Sequence, residues 1–244
     1  MYEQNIPFYI DLFKKYDWSI YETEHYVFRV QKGSLAEQDI EFIKNRQESA
    51  YKKIVDTLKL TPTSKKIQYY FYPTQELKAE LMGDGWYGQT IYNEYTIHAI
   101  YNSEDKVVGE HEDTHLLSLV WGLPISLFQE GLAEAMVGRS MFGNNHNEIL
   151  RNGVSRGIKI DIKNLMSQQG WLDTPDDEAE FFYSLAGSLV SYILLVFGLE
   201  NFRKLYSAMD RANSTEKNIE LLELITGKTI NAVCDEWLKI ALKT

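Results

Sequence analysis

"VVGEHEDTHLLSLVWG", residues 107–122, decides how this chain is read. Its apolar residues have the spacing of one face of a buried helix, yet two histidines and three acidic groups stand in its middle. Burying such groups without partners is costly, so the stretch must supply a use that offsets the cost. Upstream, Asn102 and Ser103 suit an N-cap, and Glu104 and Asp105 would place negative charge at the positive end of the helix dipole. Downstream, Gly122 and Pro124 suit a stop. The pattern predicts a helix over 104–121 with "HEDTH" in its interior.

On a helix, residues four apart lie on one face, one turn from each other. His111 and His115 can therefore offer ring nitrogens to a single metal ion, at the 2.0–2.1 Å typical of zinc. Glu112 follows the first histidine directly and can hold a carboxylate beside an open coordination position. That set suits hydrolysis, because a bound ion acidifies water and a neighbouring carboxylate takes the released proton. Two histidines do not make a firm site, and a third protein ligand is needed. Downstream, "LPISLFQEGLAEAMVG" (123–138) reads as a second helix opening near Pro124 and Ser126. Glu130 sits there between Phe128 and Leu132, a poor place for a carboxylate with no partner. Glu134 lies one turn further on the same face. Asp113 and Glu110 are read as surface or cap partners, His146 in the polar "GNNHN" as solvated, and His98 as a core or surface histidine.

Elsewhere the chain is ordinary. Hydrophobic residues make up 44% and charged residues 25%, the balance of a globular protein. The net charge of −10 with no basic stripe argues against a nucleic-acid partner. No secretory leader is expected from "MYEQNIPFYIDLFKKYDW". No apolar window is expected to reach the about 20 residues of a membrane span, the longest, "SLVSYILLVFG", stopping at Gly198. Cys234 stands alone, which fits a reducing compartment. A cytoplasmic location is favoured, and an extracellular one stays open if a leader has been removed.

"HYVFRV" (25–30) and "KIQYYFYP" (66–73) read as strands, with a long amphipathic helix from Ser34 to before Pro62 between them. "TQELKAELMG" (74–83) reads as a short helix, and "WYGQTIYNEYTIHAIY" (86–101) as an edge strand or hairpin. From Asn102 onward the period is helical. The expected fold is α+β, with an α/β N-terminal part over 1–102 and a helical part over 103–244 that carries the motif.

"HEDTH" followed fourteen residues later by "EGLAE" resembles the gluzincins, peptidase MA-like zinc metallopeptidases. The resemblance implies a zincin-like fold with one zinc ion, with His111, His115 and Glu130 as its ligands and Glu112 as general base. It implies that Glu134 accepts a hydrogen bond from the first zinc-bound histidine, as outer partners of metal-bound imidazoles do. "FFYSLAGSLVSYILLVFGLENFRKL" is similar to the helices that follow the zinc site in such proteins. There Tyr183 takes the place of a tyrosine whose hydroxyl stabilises the oxyanion, while Ala186, Gly187 and Ser188 permit close helix contact. The resemblance also implies that the strand before the zinc helix, "TIHAIY" here, is a sheet edge lining the cleft; the glycines Gly83, Gly85 and Gly88 of "GDGWYG" (83–88) suit either a mobile lip over it or an ordinary turn between helix and strand. Two features depart from it. No "GAMEN"-like motif precedes the zinc helix, and no histidine follows His146.

The expectation is a zinc metallopeptidase acting on a peptide or protein substrate, with an endopeptidase favoured. An inactive zincin-fold binding or regulatory protein is the alternative. A purely structural zinc site is a third reading, weakened by the three evident ligands where closed structural sites have four.

Overall fold

The computed structural model describes residues 13–243. By internal contacts the chain divides into two compact units, Met1–Leu117 and Ser118–Thr244. The change of composition at 102/103 lies ahead of the motif helix, whereas the division by contact falls within it.

The first unit is built on a five-stranded mixed sheet. Its strands are β1 (Trp18–Glu22), β2 (Tyr26–Gln31), β3 (Ile67–Tyr72), β4 (Gly88–Ile91) and β5 (Thr96–Ile100), in the order β1-β2-β3-β5-β4. The inner pairs β2/β3 and β3/β5 are parallel, and each outer strand returns antiparallel to its neighbour. Parallel neighbours need a crossover connection. After β2 it is supplied by α1 (Leu35–Gln38) and α2 (Ile40–Leu58). Ser34 caps this segment as expected, accepting from the Glu37 amide at 3.3 Å. The single long helix of the sequence reading is interrupted at Asp39, whose carboxylate accepts from Tyr101 and Lys106, each at 2.9 Å.

Strand β2 alternates buried and half-buried residues, so Tyr26, Phe28 and Val30 share the face that the buried residues Ile43, Ala50 and Ile54 of α2 suit. Helix α3 (Gln75–Met82) begins at Thr74, which accepts from Leu77, and ends at Gly83. Together with β3 and β5 it encloses Tyr72, Leu81, Met82 and Ile100. All five residues of β5 are buried, which is what a strand flanked on both sides and covered on both faces requires. This corrects one expectation. "TIHAIY" is not the sheet edge, because the chain turns back from β4 into β5 and leaves β4 outermost.

The second unit is helical. After the motif helix α4 (Glu110–Ser118) and one tighter turn (Leu119–Trp121) come α5 (Ser126–Val137), α6 (His146–Ser155), α7 (Ile162–Leu165), α8 (Gln168–Leu172), α9 (Ala179–Ala208), α10 (Thr215–Thr226) and α11 (Ile230–Ala241). Helix α9 is its centre, buried almost continuously from Phe181 to Ile193 and broken at Gly198. Its small residues let α5 come close, as the sequence suggested. A Cβ on Gly131 would meet the Ala186 carbonyl oxygen at 2.7 Å, and one on Gly187 would meet the Glu134 Cβ at 2.6 Å. Among the described residues one helical segment, Asp176–Ala208, is long and apolar enough to cross a membrane, which corrects the expectation that none is. Of its most apolar window 56% is buried inside the protein, as in a core helix.

Candidate metal centre

The motif helix starts later than the sequence suggested, at Glu110 rather than 104. Asn102 does accept two amides, from Glu104 at 2.9 Å and Asp105 at 2.7 Å, but in a local turn. That turn is closed by Asn102 N–H to the Asp105 carbonyl at 2.7 Å, and Tyr101 and Lys106 then pair as a short antiparallel bridge. An asparagine that caps a turn and one that caps a helix make the same bonds, so Glu104 and Asp105 stand outside the helix. Its first turn is charged instead by Glu110, Glu112 and Asp113.

Two of these groups anchor the helix. Asp113 is fully buried, and it accepts from Tyr26 and, at 3.2 Å to each oxygen, from the Gln47 amide. Gln47 also takes the Gly109 amide just ahead of the helix. Burial pushes the Asp113 carboxyl well above its usual range, against the Tyr26 hydrogen bond, and the nearby charges of Glu112 and Glu110 add to the rise. Glu110 is buried too, paired with Arg46 and, at 3.2 Å, with Lys53. Burial opposes its ionisation, but those two cations outweigh it and hold the carboxyl below its usual value. The reading of Asp113 and Glu110 as surface groups is therefore wrong. Their partners lie on β2 and α2, out of sight of local spacing.

His111 and His115 do share a helix face. Their rings lie 5.0 Å apart at 88°, with His115 buried and His111 half-buried. Glu130 is half-buried on α5. The ligand atoms of His111, His115 and Glu130 all lie within 4.8 Å of one another. Ligands around a tetrahedral ion at 2.0–2.2 Å stand about 3.4 Å apart, so modest side-chain adjustment closes the three on one centre. Two imidazoles and a carboxylate form a donor set that several first-row divalent ions accept. The group could hold a metal ion, and the donor set does not choose the metal.

Glu112 is only 9% exposed. It lies against the outer strand β4, where Thr90 Oγ1 donates to its Oε2 at 2.6 Å. Gly88 makes room for the same carboxylate, since a Cβ there would stand 2.2 Å from Oε1. Thr90 is not singled out by the sequence reading, and Gly88 is read there only as one glycine of the "GDGWYG" lip. A glycine inside a strand pattern, which marks close approach of another group, was the available signal.

Glu134 is buried on α5, and its Oε2 lies 3.7 Å from His146 Nε2. His146 is not solvated as expected. Its Nδ1 pairs with the Ser184 hydroxyl at 3.2 Å, and its Nε2 lies 3.2 Å from the Glu134 carbonyl oxygen. The polar run "GNNHN" hid the fact that Asn145 caps α6 and turns His146 inward. Tyr183, on α9, is half-buried with its ring edge against Trp171 at 5.5 Å. Another tyrosine, Tyr206, feels Glu130. Tyr206, buried with its hydroxyl 2.9 Å from Ser118, is pushed up by burial and by the Glu130 charge.

His98 proves to be a core residue. It pairs through Nδ1 with the Tyr72 hydroxyl at 2.7 Å, and burial with the nearby Lys78 charge pushes it down to about 3. The "GDGWYG" segment is tied at Asp84, which the fully buried Lys78 holds at 2.6 Å, while Trp86 beyond it is 67% exposed. Compared with known proteins, the chain matches no family model and no curated sequence.

Proposed function

We propose that the chain is a zinc-dependent metallopeptidase of the gluzincin kind, cleaving internal peptide bonds. One observation carries the reading: a His111, His115 and Glu130 group able to hold a metal, with the buried Glu112 carboxylate next along the same helix. His111, His115 and Glu130 would hold the ion. When bound, it supplies Lewis-acid polarisation of the scissile carbonyl and of water. Glu112 takes a proton from the attacking water and passes it to the nitrogen of the leaving amine. Thr90 already donates to Oε2 of this carboxylate. Glu134 orients the imidazole of His111 by accepting its second ring N–H. Tyr183 donates its hydroxyl to the carbonyl oxygen as negative charge develops there.

The test is metal analysis followed by a quenched fluorogenic peptide library, with and without chelator. About one zinc per chain and chelator-sensitive cleavage are expected. Glu112→Gln should keep the metal and lose hydrolysis by about 10³-fold or more, since the amide cannot accept the proton. Metal retained with no cleavage by the wild type would favour the alternative, a zincin-fold binding protein without turnover.

A further inference from the structure

We infer that strand β4 sets the working position of Glu112, with Thr90 as its positioning residue and Gly88 as the slot its carboxylate fills. The catalytic consequence rests on the function proposed above. The positional claim stands on geometry alone.

A glutamate side chain has three rotatable bonds, and fixing it costs conformational entropy. In an active site that cost must be met before the reaction, because misplacement by 1 Å can lose about 10²-fold in rate. Two features of β4 do the fixing. Thr90 Oγ1 reaches Glu112 Oε2 at 2.6 Å and lies 3.5 Å from the Glu112 carbonyl oxygen, so the hydroxyl sits against the first turn of α4. Threonine is stiff at χ1, which makes this a fixed donor rather than a searching one. Gly88 lies two residues earlier, on the same face of the strand. There a Cβ would stand 2.2 Å from Oε1, 2.8 Å from Cδ and 3.1 Å from Cγ of Glu112. The carboxylate is drawn in by one residue and admitted by the absence of a side chain at the other.

The strand is itself held. It pairs with β5 from Gly88↔Ala99 to Ile91↔Thr96, and the loop before it is tied by Asp84 to the buried Lys78. An engaged Oε2 also makes the two carboxylate oxygens inequivalent.

Two substitutions should therefore act on Glu112 from opposite sides. Thr90→Val removes the donor at nearly constant shape, and Gly88→Ala pushes the carboxylate out. Crystal structures of the metal-free variants should show the Glu112 carboxylate displaced from β4 in both, and back in place in Thr90→Ser. With the peptide pool that the wild type cleaves, both variants should lose about 10- to 100-fold in kcat with KM within about twofold. Thr90→Ser should recover most of the loss, and Thr90→Val added to Glu112→Gln should cost nothing further. A carboxylate unmoved in Thr90→Val overturns the positioning role, as does turnover of Thr90→Val equal to that of Thr90→Ser. If Gly88→Ala does not fold, the Thr90 pair decides. If the wild type cleaves no peptide, the proposed function fails, and the crystallographic comparison still decides whether β4 places Glu112.

Discussion

Glu112 and Tyr183 stand at opposite ends of what a residue can reveal by itself. Glu112 is fixed between a histidine and a hydrogen bond from Thr90 at 2.6 Å. Tyr183 packs against Trp171, and its proposed part depends on where its hydroxyl meets a substrate. If it donates to the developing oxyanion, it acts in the transition state more than in the ground state. Tyr183→Phe should then lower kcat by about 10²–10³, with KM, metal content and melting temperature nearly unchanged. Steady-state kinetics beside a metal assay check this. Activity within a factor of two of wild type would leave Tyr183 as a packing residue and turn attention to Tyr206, which feels the Glu130 charge.

At the scale of elements, α4 is held by its acidic first turn, and that turn responds to pH. Glu110 has its carboxyl below the usual value because Arg46 and Lys53 outweigh the opposing effect of burial. A lowered folded value means the ion pairs stabilise the protein fully above the ordinary value of 4.5 and are lost as pH falls through the lowered one. Melting temperature should drop on acidification below about pH 4.5. Glu110→Gln should begin lower at neutral pH and show a shallower acid limb. An acid limb as steep as wild type would show that other carboxylates govern it. The contact of α5 with α9 is tested differently. Gly131→Ala drives a methyl against the Ala186 carbonyl oxygen, a backbone atom with little freedom to move. It should destabilise by about 1–3 kcal/mol, read from denaturant unfolding.

Elements also mark where sequence reading ends. The strands at 25–30 and 66–73 and the helix at 74–83 were legible because short-range alternation and capping encode them, and the small residues Ala186, Gly187 and Ser188 suggested a close helix contact without showing that Gly131 of α5 makes it. The start of α4 was not, since Asn102 serves a turn with the same two amides a helix cap would use. Nor was the burial of Asp113, whose hydrogen-bond partners Tyr26 and Gln47 lie 87 and 66 residues away. Thr90 was missed for the same reason: its partner is 22 residues off, on a helix, where strand periodicity says nothing.

For the whole molecule, a metal held by His111, His115 and Glu130 would couple its binding to folding. Anything that binds the native chain alone stabilises it, by about 2.7 kcal/mol when free metal is 100 times its Kd. Chelation should lower the melting temperature, and added zinc should restore it in a concentration-dependent way. His115→Ala should be indifferent to both, and a chelator shift that survives in this variant would move the metal elsewhere. The α+β character was legible at this scale, from mixed elements early in the chain and helical period later. The order of strands was not, because hydrophobic alternation gives each strand two faces but no neighbours. The resemblance put "TIHAIY" at the edge, and nothing in its own alternation could correct that to the inner β5.

The slot at Gly88 has a meaning for descent as well as for mechanism. If Glu112 is the base proposed above, a position beside it that admits no side chain is tested by selection at every generation in which turnover matters. The constraint lapses when turnover does. Gly-x-Thr, followed after twenty residues by His-Glu-x-x-His and after fourteen more by Glu, is thus a narrower fingerprint than the metal motif alone. Chains that keep the three ligands but carry a bulky residue at the place of Gly88 should bind metal without hydrolysing peptides. Sorting remote relatives by that one position would separate working enzymes from those that have kept only the shape.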